Sequence, residues 1–166
     1  MKEKNAENAK KSLLFKMEAY RSLNDSTNYI AAVQEGVKLY PGDSSFAGSL
    51  FEYYLNHNQS DQAHQFLDGL LAKDPDNYYN LFLKGYLFLN EKKYDDAITA
   101  LEKAKTAKPD FVNTYSCIAQ AYINKAQQYS MEKTFDQNKL FAMYLGAQNA
   151  LEEWRKLAPN DSKSWG

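Results

Sequence analysis

The sequence predicts an all-α protein built from about four consecutive helical hairpins, the last of them enlarged. Three observations lead there. All four prolines, Pro41, Pro75, Pro109 and Pro159, are spaced 34, 34 and 50 residues apart. Sliding the chain against itself by 34 residues superposes like on like: Tyr20, Tyr54 and Phe88; Val33, Leu67 and Leu101; Ala63 and Ala97; Asn56, Asn90 and Asn124. A fixed period of this size marks a repeat architecture, in which each unit covers the apolar face of the next. Finally, no window sustains an alternation of apolar and polar residues, so no strand is predicted.

Each proline punctuates a helix pair. It follows apolar residues at i, i+3/4 and i+7 and precedes Gly-Asp, Asp-Asn, Asp or Asn-Asp. Proline cannot continue a helix, while Asp and Asn cap the next one. Lys38, Lys73, Lys105 and Lys156 stand near the stops and complement the helix C-terminal dipole. The unit is therefore two antiparallel helices of roughly 13 residues each. In register the repeats cover 10–43, 44–77, 78–111 and 112–161 of a single domain, with the start of a fifth at 162–166.

The third spacing leaves 16 residues over, and they fall between Tyr122 and Ala147. Asn124 to Gln128 prolong a first helix, Tyr129 to Asp136 connect, and Gln137 to Leu157 read as one long second helix. Its expected apolar stripe is Leu140, Tyr144, Ala147, Leu151 and Trp154. Met1 to about Ala9, rich in Lys, Glu and Asn, reads as a solvated end or an extension of the first helix.

Composition narrows the function classes. Twenty basic residues stand against 21 acidic ones, and Arg21 and Arg155 are the only arginines. That balance argues against a nucleic-acid or anionic-membrane footprint. The longest apolar tract, Leu81 to Leu89, is broken by Lys84 and Gly85 and is far short of a bilayer span. The N-terminal residues lack the apolar core of a signal peptide. A single cysteine, Cys117, excludes an internal disulfide and leaves the compartment open.

The residues in register resemble the tetratricopeptide repeat, whose pattern runs from an aromatic or large residue through Leu-Gly and Tyr to Ala, Phe and a closing Pro. Its best copy carries Leu81, Gly85, Phe88, Ala97, Leu101, Ala104 and Pro109, departing at Lys84. In the preceding copy Phe51 replaces the small residue, and in the first Met17 and Tyr29 do so. The resemblance implies a right-handed superhelix with the first helices on a concave wall that binds peptides or protein segments. Lengthened final pairs are similar to those of bacterial tetratricopeptide proteins, many of them in the cell envelope, which slightly favours that compartment over the cytoplasm. Trp165 stands where a next repeat's aromatic belongs, so the chain is expected to be a segment of a longer solenoid.

On that register the inward positions are Leu14, Glu18 and Arg21; Gly48, Glu52 and Leu55; Tyr79, Phe82, Tyr86 and Leu89; and Asn113, Ser116, Gln120 and Ile123. Candidate peptide-binding residues are Tyr79, Phe82, Tyr86, Leu89, Glu52 and Gln120, joined by the Asn56, Asn90 and Asn124 ladder. Aromatics anchor a ligand side chain and amides bond a ligand backbone. For the ladder, capping of helix ends is the preferred reading. The family's dicarboxylate clamp is not implied, because Leu14, Glu18, Ser49, Tyr79 and Leu83 occupy its positions.

The remaining constellations are weak. His57, Asp61 and His64 have metal-like spacing, but a turn at 58–60 separates them. Cys117 has no histidine near it in sequence to act as a base. No cofactor, metal or catalytic residue is expected, so the chain reads as a non-enzymatic interaction module. Two alternatives stand beside it: self-association through the C-terminal end near Trp154 and Trp165, or an accessory role in a longer protein.

Overall fold

The computed structural model describes the backbone of residues 2–158 and the side chains from Glu7 onward. Pro159 and Trp165 lie outside the described residues. Among the described residues there are eight helices and no strand: α1 Lys2–Ser22, α2 Ser26–Leu39, α3 Ser44–Asn56, α4 Ser60–Leu71, α5 Tyr78–Asn90, α6 Tyr94–Ala107, α7 Asn113–Ser130 and α8 Gln137–Leu157. They fall into two compact units, Met1–Leu70 and Leu71–Gly166.

The proline punctuation has the local chemistry expected of it. After Pro41, the Asp43 carboxylate accepts from Ser45 N at 2.9 Å and starts α3. After Pro75, the Asn77 side chain accepts from Asn80 N at 3.1 Å and starts α5. After Pro109, the cap of α7 is Val112, which offers no side-chain bond. There the turn is held instead by the Tyr115 hydroxyl, which donates to the Pro109 carbonyl at 2.6 Å.

In unit 1 the core is Leu13 and Met17 of α1, Ala32 and Val33 of α2, and Phe46 and Leu50 of α3. Phe66 of α4 packs onto it. Met17, read as a misfit at a small-residue position, is 6% exposed and simply fills this core. Leu14, expected to face inward, is partly buried against it.

Close approach at glycine occurs in both units: in unit 1 a Cβ on Gly36 of α2 would collide with the Phe46 ring, and unit 2 has two such contacts. A Cβ on Gly85 of α5 would stand 2.5 Å from Leu101 Cγ of α6, so only glycine lets these two helices meet as they do. Gly146 of α8 does the same under the Tyr122 ring of α7, at 2.7 Å. The second contact corrects the stripe expected on α8. The buried residues are Ala147, Ala150 and Trp154, whereas Tyr144 is 46% exposed. The Tyr122–Gly146 contact turns the helix so that Met143, not Tyr144, lies on the half-buried side. The α7–α8 connection is 131–136, and Tyr129 closes it: its hydroxyl oxygen accepts from Asp136 N at 3.0 Å.

Three hairpins close with one turn. Asn24, Asn58 and Lys92 all adopt positive φ, at 54°, 55° and 61°, and they are themselves 34 residues apart. In each turn the next backbone N–H reaches back five residues: Asp25 to Tyr20, Gln59 to Tyr54 and Lys93 to Phe88, at 2.9, 2.8 and 2.9 Å. This left-handed closure satisfies the orphan carbonyls at a helix end.

Candidate binding surfaces

The aromatic candidates form one row. Along α5, the Tyr79 and Phe82 ring centroids are 6.2 Å apart, and those of Phe82 and Tyr86 are 6.4 Å apart. Phe111, from the α6–α7 connection, stands edge-on to Phe82 at 5.1 Å and 90° and also meets Tyr78 and Tyr79. Such centroid spacings are those of attractive ring pairs. Phe82 in addition packs on the cluster of Leu101, Ile118, Ala119 and Ala150. It is a floor rather than an anchor. Tyr86 is 37% exposed and Tyr79 and Leu89 are half-buried, so the accessible part of the row is Tyr79 and Tyr86. Phe111 was missed in the sequence because it closes a repeat, and nothing local says that it folds back over α5.

The three asparagines do not hold the same place in their helices. Asn56 and Asn90 are the exposed last residues of α3 and α5, and the left-handed residue lies two positions further on. Asn124 sits inside α7, because the insertion prolongs that helix to Ser130. There its Oδ1 accepts from Gln120 Nε2 at 2.7 Å, so these two candidates engage each other.

Glu52 and Asn56 line a polar cleft of about 280 Å³ in unit 1, with Arg21 of α1, Tyr29 of α2 and Tyr53 and His57 of α3. His57 Nδ1 lies 2.8 Å from the Tyr53 carbonyl, which can only accept. That nitrogen therefore carries a proton. Two further clefts flank the α5–α6 turn of unit 2. One, of about 520 Å³, is lined by Lys92, Tyr94, Asn124, Gln127, Gln128 and Met131. The other shares Lys92 and Tyr94 and adds Asp95, Asp96, Lys125 and Glu132. Lys125 pairs with Asp95 between α7 and α6.

The candidates for chemistry have plain surroundings. Burial pushes the Cys117 thiol up to about 11 against a small opposing bond from Ser116, which suits packing and not a nucleophile. Among the described residues no group of three or more His, Cys, Asp or Glu could hold a metal ion. Trp154, expected at an exposed end, is buried at 9% exposure.

Comparison with solved structures gives the architecture its class. The chain is similar to MamA from Desulfovibrio magneticus RS-1, with TM-score 0.63 and 17% identity over 93% of this chain and 78% of that one. It is likewise similar to another MamA structure, with TM-score 0.61 and 18% identity over 96% and 79%. It resembles part of the human IFIT1 dimer with PPP-AAAA, with TM-score 0.67 and 18% identity over 82% of this chain and 30% of that one. These are tetratricopeptide-repeat proteins. The fold is the tetratricopeptide-repeat fold. The chain thus spans under a third of the IFIT1 chain and about four-fifths of the MamA chains. Neither the known protein families nor the curated proteins give a match. Within this repeat fold, Gly85, Ala97 and Leu101 hold the positions that the sequence register assigned to helix packing. No described helix is long and apolar enough to cross a membrane.

Proposed function

We propose that the chain is a non-enzymatic interaction module that grips a peptide or protein segment on the aromatic row of α5. The observation that carries this reading is Tyr86: a large ring left 37% exposed at the end of a row whose other members are braced by Phe82 and Phe111. A braced aromatic offers contact area at little ordering cost, the profile of a binding hot spot. The balance of 20 basic and 21 acidic residues favours a protein over a nucleic acid as the partner.

The test separates anchors from floor. Phe82 is left intact, and Tyr79→Ala and Tyr86→Ala are combined. Capture of a native partner by the immobilised double variant is expected to fall about tenfold or more, with the helical circular dichroism unchanged. Capture equal to that of the unmodified chain sinks the assignment.

A second reading, self-association, is favoured by the exposure of Phe141, Tyr144 and Leu145 on α8, at 68%, 46% and 42%. Light scattering over a concentration series decides it, and a constant monomer mass removes it.

A further inference from the structure

The cleft made by Lys92, Tyr94, Asn124, Gln127, Gln128 and Met131 exists because of the insertion. The previous first helix, α5, stops at Asn90, the register equivalent of Asn124, whereas α7 continues to Ser130. Its extra residues carry Gln127 and Gln128, with Met131 at the cap, past the α5–α6 turn and wall off a space of about 520 Å³. Among the described residues the other first helices, α1, α3 and α5, stop two residues before their left-handed turn and build no such wall.

The wall is amide-rich, and its chemistry is unspent. Gln127 and Gln128 are exposed, and their side-chain amides make no hydrogen bond among the described residues. Asn124 accepts from Gln120, which leaves its own amide hydrogens to donate. Amide side chains present a donor and an acceptor together, the complement of a peptide backbone. Tyr94 and Met131 supply apolar surface beside them.

Lys92 is the only charged residue lining this cleft, and it has no ion pair among the described residues. By contrast Lys93 is held by Glu91 at 2.9 Å, and Lys125 by Asp95. Lys92 also occupies a left-handed backbone position, φ 61°, where the equivalent residues are Asn24 and Asn58. A long side chain is a costly choice there, and a residue held in an unfavourable region points to a use for its side chain.

We infer that this cleft is a second recognition site, taking an extended polypeptide segment that carries one acidic side chain. Its carboxylate meets Lys92, and its backbone meets the amides of α7. A nucleic acid fits the surroundings less well. The adjoining cleft sets Asp95, Asp96 and Glu132 against Lys93 and Lys125, both already ion-paired. Beyond Lys92 it therefore offers no net positive charge for a run of phosphates, whereas a single carboxylate needs Lys92 alone. The site is separate from the Tyr79 and Tyr86 row and does not depend on it.

The test is an amide-resolved NMR titration of the whole chain at low salt. The probes are acetyl-Ala-Ala-Glu-Ala-Ala-amide, the same peptide with Gln in place of Glu, and tetra-adenylate. The Glu peptide is expected to shift Lys92, Tyr94, Asn124, Gln127 and Gln128 together, and to bind about two- to fivefold more tightly than the Gln peptide, the scale of one exposed ion pair. In Lys92→Gln that preference is expected to vanish while the spectrum elsewhere is unchanged. The inference is overturned if these residues do not move, if the two peptides bind alike, or if the preference survives in Lys92→Gln. Tighter binding of tetra-adenylate at these residues overturns it equally.

Discussion

Units 1 and 2 present different chemistry from the same hairpin. In unit 1, α3 lines a polar cleft with Glu52, Asn56 and His57, and Arg21 faces them from α1. In unit 2, α5 shows a row of rings and α7 a wall of amides. The helix-to-helix turns are alike in both, down to the left-handed residue at the second position after the helix. What differs is what the first helices carry and how long they run. A repeat scaffold fixes where side chains stand and leaves their identity free, so binding chemistry is read from the departures and not from the period.

The sharpest way to break the comparison is at the glycines. Gly85 in unit 2 has Leu101 Cγ 2.5 Å and the Ala97 carbonyl oxygen 3.2 Å from where a Cβ would be. Unit 1 has a close glycine of its own, Gly36 of α2, whose Cβ would collide with the Phe46 ring, but its Gly69, inside α4, has nothing within 4 Å. Gly85→Ala is expected to destabilise unit 2 by about 1–3 kcal/mol through overpacking. Gly69→Ala is expected to stabilise unit 1 by about 0.5–1 kcal/mol, because the helix gains propensity with no clash. Urea unfolding followed by native-state hydrogen exchange assigns each change to its unit. A neutral Gly85→Ala removes the close-approach account of α5 and α6.

Helix starts separate the units next. The cap of α3 in unit 1 is Asp43, which also pairs with Lys10 of α1. Burial raises the Asp43 carboxyl, but the Lys10 ion pair and the backbone N–H groups of Ser45 and Phe46 outweigh it and leave it below its ordinary value. The corresponding cap of α5 in unit 2 is neutral Asn77. A carboxyl lowered on folding contributes stability that is complete above its unfolded value of about 4 and is lost as pH falls through the folded value. Acid below about pH 4 is therefore expected to weaken the α1–α3 contact while the α5 cap is unaffected. Asp43→Ala should cost about 1–2 kcal/mol at neutral pH and abolish that part of the acid dependence. Asp43→Asn should keep the cap and lose only the pair. Equal acid sensitivity in Asp43→Ala and the unmodified chain defeats the assignment.

The prolines and the 34-residue register carried the helical hairpins, because stops, caps and apolar spacing are all local. The span Gln137–Leu157 of α8 was legible for the same reason. The facing of α8 was not. Stripes through Tyr144 and through Met143 share Ala147 and Trp154, and helical periodicity barely separates them. The choice is made by Tyr122 seating on Gly146, a contact between residues 24 apart in sequence. Phe111 was hidden in the same way. The turn residues were hidden by identity: Asn24 and Asn58 match across one period, but Lys92 breaks the match, so a conserved backbone state shows no conserved residue.

That break supplies the finest test. At Asn24 and Asn58 the left-handed state is held by a residue that tolerates it, whereas at Lys92 it is held by one that does not. If the only difference between the turns is side-chain tolerance of positive φ, Lys92→Asn should stabilise unit 2 by about 0.5–1 kcal/mol. The reverse change in unit 1, Asn58→Lys, should cost a similar amount, and chemical denaturation of both variants checks the symmetry. Lys92→Asn should also lose the preference for the acidic peptide, so stability and recognition move in opposite directions at one residue. A variant that gains stability and keeps the preference would leave lysine at this turn without a use, because its charge would serve neither the fold nor the cleft.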